Sequence, residues 1–386
     1  MHMAKSEVSL NNCRCCGSSH LINVMSFDDM PSIAQNFPES HELCEDPSIH
    51  LDLNECENCG LIQINSDPVY YYREVIRAAG ISNEMRDFRK QQFCDLVHKY
   101  NLAGSDFLEI GSGFGEYLTV IKECEVNAFG IEYSDKAVAH CISIGLNVTK
   151  NFPEPQHADI QKSFSGFCCL NFIEHWPAPV ESLRIVNSWL KDSAIGLVEV
   201  PNSDLIHKEG MFAEYMLDHL SYFDESSLST LLTLAGFEVL EINKVWHDYI
   251  LSAVVRKRSA KDFSKAKAQR KLVSNSLHRF IDTFSSKNVA VWGAGHQALA
   301  VIAISGVKEK IKYVVDSAEF KQDKFTPGTH VPIYAPSMLK NDPVDAVIIM
   351  AASYSDEVYS WIKKDFPFIT NIAILRPNGL EIYESA

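Results

Sequence analysis

The feature that most constrains this fold is a glycine-rich loop between a short apolar run and a helical pattern. Residues 107–115 read Phe-Leu-Glu-Ile-Gly-Ser-Gly-Phe-Gly, and the apolar residues that follow keep helical spacing. A strand, loop and helix in this order bring backbone amides close to a ligand. The pattern E-x-G-x-G-x-G differs from the dinucleotide fingerprint G-x-G-x-x-G, because Gly115 comes one residue earlier. The loop therefore disfavours pyrophosphate as its ligand.

Short apolar runs alternate with helical patterns on both sides of this loop, at 107–110, 128–131, 167–173, 194–200, 237–242 and 250–255. Within 83–100, apolar residues keep the spacing of an amphipathic helix that leads into the first run. The alternation predicts a doubly wound α/β sheet. Glu132 ends the second run, where a carboxylate can accept both hydroxyls of a ribose, so the loop and this acid together fit an adenosine.

Two C-x-x-C-G sequences, at 13–17 and 56–60, predict a metal site near the N-terminus. In such a knuckle the turn brings two thiolates to one metal, and glycine lets the backbone turn its amides toward sulfur. A redox C-x-x-C is the alternative, but it would occur once, beside a βαβ unit. We expect a closed, structural zinc site whose ligands are Cys13, Cys16, Cys56 and Cys59. Cys15 and Cys44 are alternative ligands.

The composition excludes several classes of protein. Of 386 residues, 46% are apolar and 22% charged, which is typical of a globular protein and excludes a disordered or collagen-like chain. A net charge of −15 would repel a phosphate backbone, so we expect no nucleic-acid partner and favour a small molecule. Eleven cysteines without a secretory signal favour reduced thiols or a metal site over a disulfide framework.

No membrane segment or export signal is expected. The longest uncharged stretch, 289–307, contains Gly293, Gly295, His296 and Gln297, which indicate a strand, a turn and a helix instead of a membrane span. The N-terminal residues include no apolar core of signal-peptide length. We therefore expect a cytoplasmic protein.

Four segments can be separated by composition and pattern. We expect a zinc-binding lobe at 1–68, an α/β core at 69–256, a linker helix at 257–285 and a second, Rossmann-like α/β lobe at 286–386. The stretch 256–271 holds eight basic residues and one acid. No aromatic ladder is interleaved with them, which favours a solvated helix over a nucleic-acid patch.

Four motifs, in the same order, resemble those of the class I S-adenosylmethionine-dependent methyltransferases. They are the glycine loop, the acid at Glu132, the sequence Asn-Phe-Ile-Glu-His at 171–175 and Ala-Gly-Phe at 235–237. A nicotinamide-binding fold is the alternative. The resemblance implies S-adenosylmethionine as the cofactor. It implies cofactor contacts from Glu109, Gly111, Ser112, Gly113, Gly115, Glu132 and Asn171.

Nearly the whole chain resembles a narrower group, the C-methyltransferases that act on nucleotide-linked keto-deoxysugars. These enzymes combine a two-knuckle zinc lobe, a methyltransferase core and a C-terminal Rossmann-like lobe. The resemblance is carried by Tyr-Val-Val-Asp at 313–316, Pro-Gly-Thr-His-Val-Pro-Ile at 327–333 and Asp-His-Leu-Ser-Tyr-Phe at 218–223. It implies methylation at carbon, with a nucleotide-activated sugar as the acceptor.

Methylation at carbon requires a base. The carbon beside a ketone can be deprotonated by a positioned base, and the enolate then attacks the sulfonium methyl group. Histidine suits this task because its pKa lies near neutrality, and a neighbouring carboxylate can hold its tautomer. By resemblance the base is His219. The other implied catalytic residues are Asp218 and His175, and the implied substrate contacts are Tyr72, Tyr222, His247, Gly295 and His296.

Three departures from the group lie around the acceptor pocket. Met216 replaces a tyrosine that precedes the base, and 247–252 replaces a segment with two glycines by bulkier residues. The tyrosine and serine cluster before the core is also altered at 72–82. Of three consecutive tyrosines only Tyr72 is assigned to the pocket, because neighbouring aromatics cannot all face one cavity. The sequence thus predicts the group's cofactor and leaves room for a different acceptor.

The C-terminal lobe has its own glycine motif. The sequence at 293–298, Gly-Ala-Gly-His-Gln-Ala, matches G-x-G-x-x-A after an expected strand. Asp316 follows Gly295 by 21 residues. Taken alone, the motif indicates NAD. By resemblance, the lobe instead clamps the nucleotide or phosphate of the acceptor, with the amides of Gly295 and His296 as donors.

Two other functions stay open. An O- or N-methyltransferase acting on another phosphorylated or small metabolite is compatible with the altered pocket. A zinc-ribbon scaffold without catalysis belongs to a different class, and the acidic charge argues against it as a nucleic-acid adaptor.

Overall fold

The computed structural model describes residues 11–35, 37–43, 47–75, 81–157, 160–285 and 287–384. Contacts between Cα atoms divide the chain into two units, Met1–Ser259 and Ala260–Ala386. The first unit therefore contains both the cysteine pairs and the glycine loop. Cys44 and residues 76–80 of the altered tyrosine segment lie outside the described residues.

The strands of the first unit belong to two sheets. In chain order they are β1 (Leu21–Pro31), β2 (Ser48–Cys56), β3 (Ile62–Ile64), β4 (Asp106–Ile110), β5 (Asn127–Glu132), β6 (Val148–Lys150), β7 (Phe164–Leu170), β8 (Leu190–Pro201), β9 (Ser221–Tyr222), β10 (Phe237–Val245) and β11 (Ile250–Lys257). The larger sheet has the order β10-β11-β8-β7-β4-β5-β6. Its strands β4 to β8 are parallel, and β10 and β11 are antiparallel to their neighbours.

The helices of the first unit lie between these strands. They are α1 (Asn83–Lys99), α2 (Glu116–Lys122), α3 (Asp135–Ser143), α4 (Pro179–Ser188), α5 (Ser203–Lys208) and α6 (Glu225–Leu234). Helix α1 begins where the side chain of Ser82 accepts a hydrogen bond from the amide of Met85. The alternation confirms the predicted doubly wound α/β core. Because β4 lies between β5 and β7, the order in which successive strands are added to the sheet reverses at β4. A ligand binds at the carboxyl ends of the strands beside such a point.

The apolar run expected at 167–173 continues beyond the end of the observed strand, β7, which spans Phe164–Leu170. Strand β7 ends at Leu170 because the next residue, Asn171, has a left-handed φ of 49°. A 3-10 turn, Ile173–His175, follows. The chain therefore bends away from the sheet at its carboxyl edge. Asn171, Phe172, Glu174 and His175 line the cavity there, and Ile173 packs into the core.

The N-terminal sheet is antiparallel and has the order β1-β2-β3-β9. Its last strand comes from the segment that follows His219, far along the chain. Ile62 pairs with Tyr222, and Gln63 with Ser221. The cysteine lobe and the α/β core thus share a sheet, which explains why both fall in one compact unit.

The second unit is a second α/β sheet. Its strands are β12 (Val289–Trp292), β13 (Ile311–Val315), β14 (Lys324–Phe325), β15 (Pro332–Tyr334), β16 (Ala346–Ile349), β17 (Asn371–Arg376) and β18 (Gly379–Glu384), in the order β14-β15-β13-β12-β16-β17-β18. The helices are α7 (Ser264–Ile281), α8 (His296–Ser305), α9 (Met338–Asn341) and α10 (Ser355–Asp365). Strands β15, β13, β12, β16 and β17 run parallel.

Two observations differ from the sequence-based expectations. Helix α7, expected within a linker, packs Leu277, Phe280 and Ile281 into the core of the second unit. Cys94 and Cys124, expected as reduced thiols, form a disulfide between the helix α1 and the turn after α2. The two cysteines are 30 residues apart, and only the packing of the helices brings them together.

None of the helices in the described ranges combines the length and the apolar character that crossing a membrane requires.

Candidate active site

A cavity of about 550 Å³ lies at the carboxyl ends of β4, β5 and β7. It joins the glycine loop at one end to the segment around residue 218 at the other. Of the predicted site residues, the wall includes Gly111, Gly113, Glu132, Asn171, His175, Asp218 and His219. One chamber therefore holds the motif expected for the cofactor and the residues expected for catalysis.

The glycine loop begins with a close approach of the backbone to an aromatic ring. Gly111 has φ 77°, and a Cβ there would lie 2.6 Å from Phe172 Cδ1. The amides of Gly111 and Ser112 both donate to Ile131 O at 3.0 Å. A side chain at 111 would therefore clash and require a strained backbone, which explains why this position is glycine.

Glu132 fixes the loop through backbone hydrogen bonds. Its Oε2 accepts from the amide of Gly113 at 2.9 Å, and its Oε1 accepts from Tyr133 and Ser134 at 2.8 and 2.9 Å. Burial raises the pKa of Glu132, and the three amides counteract the shift. Because each carboxylate oxygen has two lone pairs, the group can still accept hydrogen bonds from ligand hydroxyls.

The remaining predicted cofactor residues support the loop from behind. Glu109 is buried on β4. Ser112 is buried against Gly130 of β5, where a Cβ would lie 2.2 Å from the hydroxyl oxygen of Ser112. Gly115 precedes α2 with φ 88°, and a Cβ there would lie 2.4 Å from Leu146. None of these three belongs to the described wall of the cavity.

Two histidines meet at the other end of the cavity. The rings of His175 and His219 are 4.7 Å apart and inclined at 74°. His175 Nδ1 lies 2.6 Å from the carbonyl oxygen of Asp218. Because a carbonyl only accepts, Nδ1 carries the hydrogen, and Nε2 is the acceptor of this ring.

Both imidazoles are neutral at pH 7. Burial lowers the pKa of His175 to about 3, with a further contribution from His219. Burial also lowers the pKa of His219 to about 4, and no hydrogen bond from the described residues contributes to this shift. The ring of His219 is thus positioned by packing against His175 and Tyr222 and keeps its nitrogens for a ligand.

Asp218 makes different contacts from those expected. Its Oδ1 accepts from the hydroxyl of Tyr71 at 2.8 Å, and its Oδ2 accepts from the amide of Ala34 at 3.1 Å. The carboxylate therefore binds the N-terminal segment instead of the imidazole of His219. Burial raises the pKa of Asp218. Asp218 positions the histidines through its backbone, since its carbonyl holds His175.

Three predicted substrate residues of the first unit lie outside the described wall of the cavity. The hydroxyl of Tyr72 donates to Glu154, which also pairs with Arg73 at 2.9 Å. The hydroxyl of Tyr222 accepts from the amide of Met216 at 2.8 Å. His247 is exposed in the turn between β10 and β11, with φ 60°. The neighbouring Tyr71, and not Tyr72, contacts a predicted catalytic residue.

Many wall residues were not among the predicted site residues, and two of them, Glu174 and Tyr249, carry acidic or phenolic groups. Glu174 is buried between Asn171 and His175, inside a motif that the sequence analysis used, so its position could have been read from the sequence. Tyr249 donates from its hydroxyl to Glu214 Oε2 at 2.6 Å and closes the wall from the hairpin β10-β11. No sequence signal separates Tyr249 from other hairpin residues.

The four predicted metal ligands converge. The Sγ atoms of Cys13, Cys16, Cys56 and Cys59 all lie within 4.8 Å of one another. Cys15 is buried, and its Sγ lies 3.8 Å from the carbonyl oxygen of Ser227, outside the cluster. This arrangement can hold one tetrahedral metal ion.

The glycine loop of the second unit is held by an acid as well. Asp316 accepts from the amides of Ala294 and Ala318, at 2.7 and 2.9 Å, and from Lys321 Nζ at 2.9 Å. Burial raises the pKa of Asp316, but these three donors outweigh it and the net shift is downward. Gly295 and His296 begin α8, and both belong to the second unit.

Two family models match the chain. Residues 85–242 match the model described as methyltransferase domain, and residues 256–366 match the model described as C-methyltransferase C-terminal domain. The two matches together include most of the cavity wall and most of the second unit.

The chain is also similar to individual proteins. The C-methyltransferase NovU of Streptomyces niveus is 23% identical over 392 residues, covering 90% of this chain and 91% of its own. The ubiquinone biosynthesis O-methyltransferase of Nitrosospira multiformis is 28% identical over 161 residues, covering 36% of this chain and 66% of its own. Among solved structures, the magnesium protoporphyrin IX methyltransferase of Synechocystis is 13% identical, with a TM-score of 0.38, covering 47% of this chain and 90% of its own.

Proposed function

Since this chain is a class I S-adenosylmethionine-dependent methyltransferase with a C-methyltransferase C-terminal domain, we propose that it methylates a carbon beside a ketone in a nucleotide-linked deoxysugar. One observation carries the proposal. A single cavity is lined by Gly111, Gly113 and Glu132 and also by two neutral imidazoles, those of His175 and His219. Neutral bases opposite a methyl donor are what enolate chemistry requires.

The residues present fit the cofactor. Gly111 and Gly113 leave the floor of the cavity without side chains, and Glu132 can accept the ribose hydroxyls. Asn171 also lies on the wall, and its backbone N–H donates to the carbonyl oxygen of Glu199 at 2.8 Å. When bound, S-adenosylmethionine supplies an electrophilic methyl group to an attacking carbon.

His219 is the proposed base. It is neutral and can take the proton from the carbon beside the ketone at one ring nitrogen. Proton transfer creates an imidazolium next to an enolate, and their attraction in a dry cavity compensates for the low pKa of the free histidine. His175 holds the neighbouring wall in place, because its Nδ1 is fixed on the Asp218 carbonyl.

The acceptor's nucleotide is assigned to the second unit. We propose that the amides of Gly295 and His296, at the start of the ten-residue helix α8, donate to its phosphates. The resemblance of residues 313–316 and 327–333 to sugar C-methyltransferases supports this assignment.

We also propose that Cys13, Cys16, Cys56 and Cys59 hold a structural zinc ion. Four thiolates within 4.8 Å fit a closed tetrahedral site, in which no position is left for substrate. Arg14, inside the first knuckle, donates to the carbonyl oxygens of Pro177 and Ser66 at 2.9 and 2.6 Å, so the knuckle anchors the lobe to the core.

Metal analysis tests the zinc site. Purified protein is expected to contain one zinc ion per chain, and Cys56→Ser is expected to lose it and to melt at a lower temperature. Cys141→Ser is the matched control, because this buried cysteine lies outside the cluster. Zinc retained by Cys56→Ser would contradict the assignment.

The function is tested with thymidine-diphosphate-linked keto-deoxyhexoses that carry deuterium beside the ketone. Binding of S-adenosylmethionine is measured first by calorimetry, and the mass of the product is then determined by mass spectrometry. A gain of one methyl group with loss of deuterium is expected. Methylation with full retention of deuterium would instead assign an O- or N-methyltransferase. Failure to bind S-adenosylmethionine would leave only the scaffold.

A further inference from the structure

Glu174 is a buried carboxyl group at the reaction end of the cavity. It is 1% exposed and belongs to the cavity wall. One of its oxygens lies within 4.8 Å of ring nitrogens of both His175 and His219. Its Oε2 is buried without a hydrogen-bond partner among the described residues. A buried polar atom without a partner is costly, so this one is expected to meet a ligand.

The surroundings of Glu174 keep it protonated. The titratable groups that face it are the imidazoles of His175 and His219, the phenol of Tyr249 and the thiol of Cys169. None of these groups is cationic at neutral pH, because the pKa of each imidazole is lowered by burial. Burial raises the pKa of Glu174 to about 8. At pH 7 the group is therefore a neutral acid with one O–H donor.

The other hydroxyls near the reaction end are already committed. Tyr71 donates to Asp218, Tyr249 donates to Glu214, and Tyr222 is held by the backbone of Met216. Met216, which replaces the tyrosine of the related group, has no hydroxyl in its side chain. Glu174 thus supplies an O–H donor beside the two histidines, and its Oε2 has no partner in the described part of the chain.

We propose that Glu174 is a catalytic residue whose carboxyl O–H donates a hydrogen bond to the ketone oxygen of the acceptor and stabilises the enolate formed there. This inference rests on the proposed function. The nearness of Glu174 to His219 fits the task, because the proton to be removed and the oxygen that gains charge are attached to adjacent carbon atoms.

The C–H bond beside the ketone breaks, its proton passes to His219, and its electron pair forms the C=C bond of the enolate. The π pair of the C=O bond moves to oxygen, where Glu174 donates its hydrogen bond. The C=C electron pair would then form the bond to the methyl group of bound S-adenosylmethionine while the electron pair on oxygen restores the C=O bond. The C–S bond would break, and sulfur would keep its electron pair as a neutral thioether. Glu174 keeps its proton throughout, and His219 returns its proton to solvent.

Two variants separate donation from packing. Glu174→Leu removes the donor and is expected to lower kcat by roughly 10²–10³-fold, with KM nearly unchanged. Glu174→Gln keeps an N–H donor of similar shape and is expected to lower kcat by only about tenfold. Calorimetric affinity for S-adenosylmethionine is expected to stay at the wild-type value in both, which shows that the cavity has folded.

The pH profile gives a readout that packing alone would not move. Wild-type kcat is expected to fall above about pH 8, because the ionised carboxylate no longer donates and repels the enolate. Glu174→Gln is expected to lose this alkaline limb. Glu214→Gln removes another carboxylate of the same cavity and is expected to keep it. An infrared carboxylic-acid C=O band that disappears in Glu174→Gln is expected at pH 7.

The outcomes distinguish this inference from the proposed function. If the wild-type protein does not methylate the keto-deoxyhexoses with loss of deuterium, the proposed function fails. If it does, and Glu174→Leu matches it or Glu174→Gln keeps the alkaline limb, Glu174 is not the donor. Loss of activity on chelation, restored by a divalent cation while the zinc content is unchanged, would make the three side chains metal ligands and would also overturn the inference.

Discussion

The two units contain the same local device with different consequences. In each, an acid at the end of the second strand binds an amide of the glycine loop: Glu132 binds Gly113 at 2.9 Å, and Asp316 binds Ala294 at 2.7 Å. Asp316 also pairs with Lys321, and its pKa is lowered. Glu132 has a raised pKa and lies on the wall of a cavity.

The first glycine of each loop does not distinguish the two loops, because a Cβ at Gly111 would lie 2.6 Å from Phe172 Cδ1. A Cβ at Gly293 would lie 2.7 Å from the carbonyl oxygen of Met350, so this glycine is required by packing within the second unit. A glycine loop followed by an acid therefore reports how a strand, a turn and a helix are joined. The motif does not distinguish the two loops. The cavity beside Glu132 and the ion pair of Asp316 with Lys321 favour the first loop as the proposed site of the methyl donor.

The largest expected effect tests whether the chemistry is confined to the first unit. His219→Gln removes the proposed base and is expected to lower turnover by about 10²–10⁴-fold with unchanged affinity for S-adenosylmethionine. His207→Gln, at an exposed histidine on α5, is the control and is expected to leave turnover unchanged. Undiminished turnover of His219→Gln would end its assignment as the base.

The next effect separates the two acids directly. Glu132→Ala removes the carboxylate that accepts from the amide of Gly113 and that we propose binds the ribose of S-adenosylmethionine. We expect the Kd for S-adenosylmethionine to rise by about 10²-fold, because hydrogen bonds to a charged group contribute roughly 1.5–3 kcal/mol each. Asp316→Ala is expected to leave this Kd unchanged in the same calorimetric titration. A larger effect from Asp316→Ala would reverse the comparison.

Acid stability is expected to differ between the units. The folded pKa of His175, about 3, lies below its ordinary 6.5, so the unfolded chain binds more protons and stability is lost as the pH falls below 6.5. At pH 5 this loss is about 2 kcal/mol for His175. Asp316, with a lowered pKa, destabilises the second unit only below its ordinary 3.8. Urea titrations at pH 7 and pH 5 measure both, and His175→Gln is expected to reduce the acid sensitivity of the first unit.

The smallest expected effect concerns the second loop. His296→Pro removes one proposed backbone donor at the first position of α8, where a helix tolerates proline. It is expected to raise KM for the keto-deoxyhexose by about fivefold, equivalent to roughly 1 kcal/mol, with kcat and the affinity for S-adenosylmethionine unchanged. An unchanged KM would remove His296 from acceptor binding. Tight binding of NAD by the wild-type protein would restore the alternative that the motif G-x-G-x-x-A indicates by itself.

Sequence patterns of short range were the most predictive. The glycine loop and the strands around it follow from local spacing, and the converging cysteines follow from knuckle spacing. Both signals lie within a few residues of chain. The broad class of enzyme could therefore be predicted from the sequence.

Contacts between distant residues could not be predicted in the same way. Tyr71 and Asp218 are 147 residues apart, and the choice between Tyr71 and Tyr72 depends on how the N-terminal segment packs. The disulfide of Cys94 and Cys124 likewise needs two helices side by side. The basic residues at the start of helix α7 predict a solvent-exposed helix. The apolar residues near its end, Leu277, Phe280 and Ile281, nevertheless pack into the core of the second unit.

Strand β9 immediately follows His219 and hydrogen-bonds to β3, which itself follows the second cysteine knuckle. The cysteine lobe therefore shares hydrogen bonds with the segment that carries the proposed base. We expect that damage to the cysteines lowers turnover from a distance and that exchanging this lobe between relatives alters the cavity along with it.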